Sequence, residues 1–429
     1  MSQKDWDRLQ YYSRKVKFFG SDSAMNVVHP RIHPSTYFRI GRLRSSVLFP
    51  SLRQLQYFLD DGSVNHIFLF LSPLLDSLEL FKIEGFENTI VGPFFATLSS
   101  ESPMLRQIIL RNGQMPVEVF KKSIVHFKQL HSLELSDAVF MTDFALLEVL
   151  GTLPSLANFT LVANDPASHP SHAPENYYSK SGGPKYFLAL EHLRVTGTFF
   201  LIRHILISID SPFLKTIYVR PVIVKHARNE HEPEDLFAHS MMMVSIKWPQ
   251  SVEKLIIHSS PNNTPKHSAM SKRLISLMHL HKMQRFFLDW KMTMNTDDNV
   301  RRLVMSWPQL KSLNLNETVV SLPTLRIIAE NCLELRRLHI RLDTSTITPF
   351  DTSGESLRHR LEVLTIWGAH PSSKTILESQ IQVTRHLDFL FPYLKSLDVQ
   401  PNNVFWLGIR DLLHLCQDAG RSRGWVARF

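Results

Sequence analysis

The chain has 429 residues, 44% of them hydrophobic and 20% charged, which is globular composition and excludes bulk disorder. Its two cysteines, Cys332 and Cys416, are too few for a disulfide framework or a four-ligand zinc cage. The net charge of +9 sits at the ends: residues 1–60 hold ten Lys/Arg against four Asp/Glu, residues 421–429 hold three Arg and no acid, and 61–420 carry 35 of each sign. A nucleic-acid domain usually bears its excess on the folded body, and this body has none.

The first 30 residues lack the apolar core of a signal peptide. Even FFLIRHILISI at 199–209 carries Arg203 and His204, so no stretch is long and apolar enough to span a bilayer. The expected compartment is the cytoplasm, the nucleus or both.

In chain order, residues 1–48 read as a basic flank with a degenerate first repeat. From residue 49 one pattern recurs, Leu-x-x-Leu-x-Leu with other apolar residues allowed in its slots. FPSLRQL (49–55), SPMLRQIIL (102–110), SPFLKTIYV (211–219), WPQLKSLNL (307–315) and FPYLKSLDV (391–399) are clear copies. Thirteen copies place their first apolar residue at 52, 75, 105, 130, 156, 190, 214, 252, 283, 310, 335, 361 and 394. Seven of the twelve spacings fall between 23 and 27, inside or next to the leucine-rich-repeat range. The second and third apolar residues are two apart, which is strand periodicity.

Between copies, 116–127, 142–150, 296–307 and 321–332 show apolar residues at three and four spacing, as helices do. Thr142 or Asp143, and Thr296 or Asp297, suit the N-caps, because a side-chain oxygen can accept an orphan backbone N–H. One strand, a turn and one helix cannot bury its own apolar face, so units must stack. The expected fold is α/β: a leucine-rich-repeat-like solenoid with a parallel concave sheet and helices on the convex side. About thirteen units fill 49–400 as a single domain, and 401–429 form a capping helix and basic tail. Insertions interrupt the period at 162–184, 220–249 (with a helix after Pro233), 258–270 and 343–356. The Asn that many such repeats place after the third apolar residue is missing, which implies longer, less regular units.

Thr296-Asp297, Trp307-Pro308-Gln309-Leu310 and Asn331-Cys332-Leu333-Glu334-Leu335 resemble the cysteine-containing leucine-rich repeat of F-box proteins. Asp5-Trp6-x-Arg8-Leu9-x-x-Tyr12-x-Arg14-Lys15-Val16-Lys17 resembles the segment that follows the F-box in large fungal families of F-box/leucine-rich-repeat-like proteins. SPLLDSLEL (72–80) fits the same families. The resemblance implies the substrate-binding part of a ubiquitin-ligase receptor. An F-box has an early Leu-Pro and should precede residue 5, whereas Leu153-Pro154 and Leu322-Pro323 lie inside repeats. This chain alone is therefore expected not to bind the ligase adaptor.

No nucleotide-binding glycine loop, nucleophile elbow, H-E-x-x-H or C-x-x-C motif is present, so no catalytic residue, cofactor or enzyme activity is expected. The His pairs 29/33, 169/172 and 226/231 lack partners at ligand spacing, and no metal is expected. Met241-Met242-Met243 reads as helix packing, and Cys332 and Cys416 read as small buried residues. Function should lie on the concave face. Its middle slots hold Arg194, Tyr218, Arg220, Lys254, Arg285, Phe287, Arg337, His339, Arg341 and, just beyond, Trp367. Arg beside aromatics is the composition of a binding hot spot. The expected partner is an acidic or phosphorylated protein segment; the alternative is nucleic acid held by the basic stripe and basic ends.

Overall fold

In the computed structural model, each of the thirteen copies becomes a strand that begins two residues after its first apolar residue. The structure describes residues 3–20, 47–59, 64–82, 88–113, 117–138, 144–163, 186–222, 232–258, 275–289, 296–344, 357, 359–367 and 376–422. The chain divides into two compact units, residues 1–214 with 222–226, and residues 215–221 with 227–429.

The first unit begins with helix α1 (Gln3–Ser13) and strand β1 (Phe18–Gly20). Strands β2 (Gln54–Phe58), β3 (Ser77–Phe81), β4 (Gln107–Gly113), β5 (Ser132–Ala138), β6 (Asn158–Val162) and β7 (His192–Gly197) follow. Each pairs in parallel with the strand before it in the sequence. Helices α2 (Asn88–Glu101), α3 (Val117–Ile124), α4 (Phe144–Gly151) and α5 (Phe199–Ser208) pack in turn against one another. Between β2 and β3 the spacer is only a 3-10 helix, Val64–Phe70, because the unit is one of the shortest. β1 extends the sheet by one strand beside β2, and its Phe19 packs on Phe70 at 4.3 Å and on Phe49 at 6.0 Å.

The second unit has β8 (Thr216–Pro221), β9 (Lys254–His258), β10 (Arg285–Asp289), β11 (Ser312–Ser321), β12 (Arg337–Asp343), β13 (Val363–Trp367) and β14 (Ser396–Val399), again parallel and in chain order. Its helices are α6 (Glu232–Lys247, inside the 220–249 segment), α7 (Thr296–Ser306), α8 (Leu322–Asn331), α9 (Ile376–Leu390) and α10 (Val404–Ser422). A 3-10 helix, Ile275–His279, stands between α6 and α7. α10 lies on α9, where Gln380 Nε2 donates to Phe405 O at 3.0 Å. A Cβ at Gly408 would overlap the Gln380 amide and displace it from this contact.

The repeat residues explain the stacking. The first apolar residue of all thirteen copies is buried, from Leu52 and Leu75 to Leu361 and Leu394. Leu133, Leu135, Leu313, Leu315, Leu338, Ile340 and Leu397 are buried as the pattern requires, whereas Val399, at the end of β14, is only half-buried. One carbonyl per turn then accepts two N–H groups of the next unit. Asp76 O takes Arg106 and Gln107, and Gln284 O takes Lys311 and Ser312, so within each compact unit a repeat is keyed to its neighbour before its strand begins.

The missing Asn is replaced by a residue three before the first apolar one. Buried Ser72, Ser102 and Ser211 donate through Oγ to Pro50 O, Ser72 O and Leu190 O at 3.0, 2.8 and 2.7 Å. In the second unit Trp307 Nε1 takes the role toward Leu277 O at 3.2 Å. His359, two residues before Leu361, does so through Nε2 toward Cys332 O at 2.9 Å. Ser72 O, Leu277 O and Cys332 O also accept the backbone N–H of Leu75, Leu280 and Leu335, so there the side chain is a second donor, contributing about 0.5–1.5 kcal/mol net.

Several expectations change. Asp297 does not cap its own helix: it lies in the first turn of α7, and its Oδ1 accepts the Ser321 N–H at 3.0 Å. Ser321 caps α8 by accepting from Thr324 N. Cys416 is exposed on α10, because that helix has no further helix beside it among the described residues. Met241 is buried, but Met242 faces solvent at 41% exposure. The Thr142/Asp143 cap, the three His pairs and most of the insertions at 162–184, 258–270 and 343–356 lie outside the described residues.

Candidate functional site

In every strand the side chains between the buried apolar ones face away from the helices and form an open face. Because neighbours are paired in parallel without slippage over most of their length, equivalent positions form rows about 4.8 Å apart. In the second unit the first row is Thr216, Lys254, Arg285, Ser312, Arg337, Val363 and Ser396. The next row is Tyr218, Ile256, Phe287, Asn314, His339, Thr365 and Asp398. Beyond it, His258 pairs with Asp289 and Arg341 with Trp367, and Arg220 occupies the same end of β8.

Nine of the ten expected binding residues thus lie on one face of the second unit: Tyr218, Arg220, Lys254, Arg285, Phe287, Arg337, His339, Arg341 and Trp367. Lys254 and Arg285 are directly registered, and Arg337 is two strands further on. Arg220, Arg285 and Arg337 are exposed. Trp367, 43% exposed, stands beside Arg341. Arg194 belongs to the first unit, where it is exposed on β7 in register with Thr160.

Two residues beyond the ten expected ones join this face, His258 at an alternating position like the others and Glu317 off that alternation. His258 fills the space between the aromatics, 5.1 Å from the Tyr218 ring and 4.5 Å from Phe287, and its Nδ1 lies 3.6 Å from Asp289 Oδ2. Glu317 lies 3.7 Å from Arg341 Nη1. It reaches there because the register of β11 with β12 shifts between Leu315 and Val319, a bulge that a period-two reading cannot foresee. His339 is partly covered, and burial lowers its pKa; Asp398 pulls it up and Arg337 pushes it down. It is therefore a neutral hydrogen-bonding group at pH 7 among fixed guanidinium charges.

The open face of the first unit differs. Its first row is Gln54, Ser77, Gln107, Ser132, Asn158 and His192, all hydrogen-bonding residues with no Lys, Arg, Asp or Glu among them. Its charges pair among themselves. Arg111 Nη2 is 3.3 Å from Glu134, and Arg111 Nε is 3.2 Å from Glu79 Oε1, an ion pair off the angle of a hydrogen bond. Gln56 donates to Glu79 at 2.7 Å, Ser136 to Glu134 at 3.2 Å, and Arg111 lies over Phe81, itself stacked on Phe58. Among the described residues no group of three or more His, Cys, Asp or Glu is placed to hold a metal ion. Nor is any described helix long and apolar enough to cross a membrane.

Parallel strands in chain order, one helix layer and a keyed turn per repeat define each unit as a leucine-rich-repeat-like α/β solenoid. No family model matches the chain, and neither does any curated protein. Among solved structures it is similar to Rad7 in the yeast Rad7–Elc1 complex, at 16% identity over 86% of this chain and 91% of that one, TM-score 0.42. An internalin, InlF of Listeria monocytogenes, matches at 11% identity over 83% and 88%, TM-score 0.37. LegL7, a leucine-rich-repeat-containing protein of Legionella pneumophila, matches at 10% over 90% and 95%, TM-score 0.36.

Proposed function

We propose that the chain is a protein-recognition solenoid, not an enzyme, and that the open face of its second unit binds an acidic or phosphorylated protein segment. The observation that carries this reading is the registered row of Lys254, Arg285 and Arg337 beside Arg341–Trp367 and the Tyr218–His258–Phe287 run. Cations on neighbouring strands can reach one ligand, and a guanidinium fork pairs bidentately with carboxylate or phosphate. The adjoining rings supply apolar anchors. Asp289 and Glu317 each hold a basic partner on the same face and would be displaced or bridged by the ligand. The likeness of the N-terminal segment to the stretch after an F-box supports a substrate-receptor role of the ubiquitin-ligase type. The same face would read its target by charge and would hold it by burying aromatics.

The test is peptide binding by fluorescence anisotropy with serine-containing acidic peptides, phosphorylated and not. The phosphorylated form should bind more tightly. Arg337→Ala combined with Arg341→Ala should weaken it by about tenfold or more, since hydrogen bonds to charged groups contribute about 1.5–3 kcal/mol each. Equal binding by the double variant would refute the assignment.

A further inference from the structure

We propose that the open face of the first unit carries a second binding site, for an uncharged proline-rich segment in the polyproline II conformation. The first row of that face alternates long and short side chains: Gln54, Ser77, Gln107, Ser132, Asn158. The three carboxamides stand on every second strand, so they recur about every 9.6 Å across the sheet. A polyproline II helix has three residues per turn and rises about 3.1 Å per residue, so it repeats every 9.3 Å or so. Over two turns the mismatch is about 0.6 Å, within the reach of one side-chain torsion. A fully extended peptide repeats about every 6.7 Å and would meet the first amide and miss the second. The spacing therefore selects one backbone conformation.

The chemistry selects the same ligand. Polyproline II makes no internal hydrogen bonds, and proline lacks an N–H, so such a ligand offers carbonyl acceptors and needs donors. The row supplies them. Ser77 Oγ donates to Gln107 Oε1 at 3.1 Å, which fixes that amide. Gln107 Nε2 has no partner among the described residues, and neither do the side chains of Gln54 and Asn158. The serines between them leave notches into which pyrrolidine rings can lie. A groove of about 680 Å³ lies at the β4–β6 part of this row, lined by Gln107, Ser132 and Asn158 and, from the turns before the strands, by His131 and the Asp76–Arg106 pair. The neighbouring carboxylates Glu79 and Glu134 are held by Arg111, Gln56 and Ser136, so little charge is left to attract an ion. In the second unit, by contrast, the equivalent row is basic, and the two faces would read different chemistry.

The experiment uses the full chain and a fluorescein-labelled Ala-Pro-Pro repeat of about twelve residues, or four turns. A proline-free Ser/Thr/Val peptide of the same length is the control. Saturable binding of the proline peptide is expected, with less than about a twofold change between roughly 50 and 500 mM NaCl because no ion pair is involved. Gln107→Ala with Asn158→Ala should weaken it about tenfold through two lost hydrogen bonds. Ser132→Arg, which fills a notch on this half-buried row, should do the same. Arg337→Ala with Arg341→Ala should leave it unchanged, so failure here is distinct from failure of the acidic-ligand reading. Equal affinity for the control peptide, no saturable binding, or insensitivity to both first-unit variants would overturn the proposal.

Discussion

Cys332 and Cys416 show how burial sets the chemistry of a side chain. Cys332 is fully buried, its Sγ donating to Val304 O at 3.6 Å, and burial pushes its thiol up to about 12. The thiolate is the reactive form, so native protein at pH 8 should yield one titratable thiol, that of exposed Cys416, and two after denaturation. Modification of both in the folded state would show that α8 opens freely. His204, 5% exposed on α5, is held neutral, its pKa lowered to about 4 by burial and then by Arg203. Below about pH 6.5 the unfolded chain binds this proton while the folded one does not until about pH 4. Stability should therefore fall as pH drops through that window, by up to about 3 kcal/mol from this group. Urea midpoints at pH 7 and 4.5 should differ less in His204→Gln than in the parent; an unchanged slope would remove His204 from the account.

At the scale of the element, two kinds of residue hold a repeat. Leu313, 1% exposed in β11, belongs to the apolar stack, and Leu313→Ala should lower unfolding free energy by about 2–5 kcal/mol through a cavity. Ser102 belongs to the polar layer, and Ser102→Ala leaves Ser72 O with one donor, the Leu75 N–H, instead of two, at about 0.5–1.5 kcal/mol. Denaturant melts would separate the two and would miss the effect if the turns were held by apolar contacts alone. The apolar role was legible in the sequence, because alternation of Leu within a strand fixes which face is buried. The serine role was visible only as a recurring Ser-Pro before the repeat; its meaning depends on which carbonyl the neighbouring unit presents. Glu317 and the ring contacts of His258 were illegible for the same reason, since a bulge and a cross-strand contact are properties of two strands, not of one.

For the whole molecule the distribution of charge separates the competing readings. The net +9 lies in residues 1–60 and 421–429, while the described cations of the second unit's face form a local row. A protein ligand on that row would involve a few charges and lose affinity modestly with salt. Nucleic acid would release a counterion for each phosphate neutralised and lose about 10³–10⁵ between 50 and 200 mM salt if six to ten were contacted. A salt titration of binding is thus expected to give a shallow slope, and a steep one would favour nucleic acid. Arg337→Ala with Arg341→Ala should meanwhile leave Tm nearly unchanged. Arg337 is exposed, and the Arg341–Glu317 pair is half in water, where such pairs contribute about 0–1 kcal/mol.

The amino-acid sequence by itself determined the repeat, the start of every strand from β2 to β14 and, Val399 apart, the apolar residues that the strands bury. These follow from local rules: a period of two in a strand, about 3.6 in a helix, and a proline-marked turn between them. The tertiary structure decided what lies beside what. It divided the strands between two compact units, put Arg194 in the first and the other nine candidates in the second, and added Asp289 and Glu317 to the basic face as partners. It also set the row of uncharged amides at strand spacing on the first unit, a pattern perpendicular to the chain. Sequence periodicity reports along the chain, whereas a binding face is assembled across it, and only cross-strand register supplies that second direction.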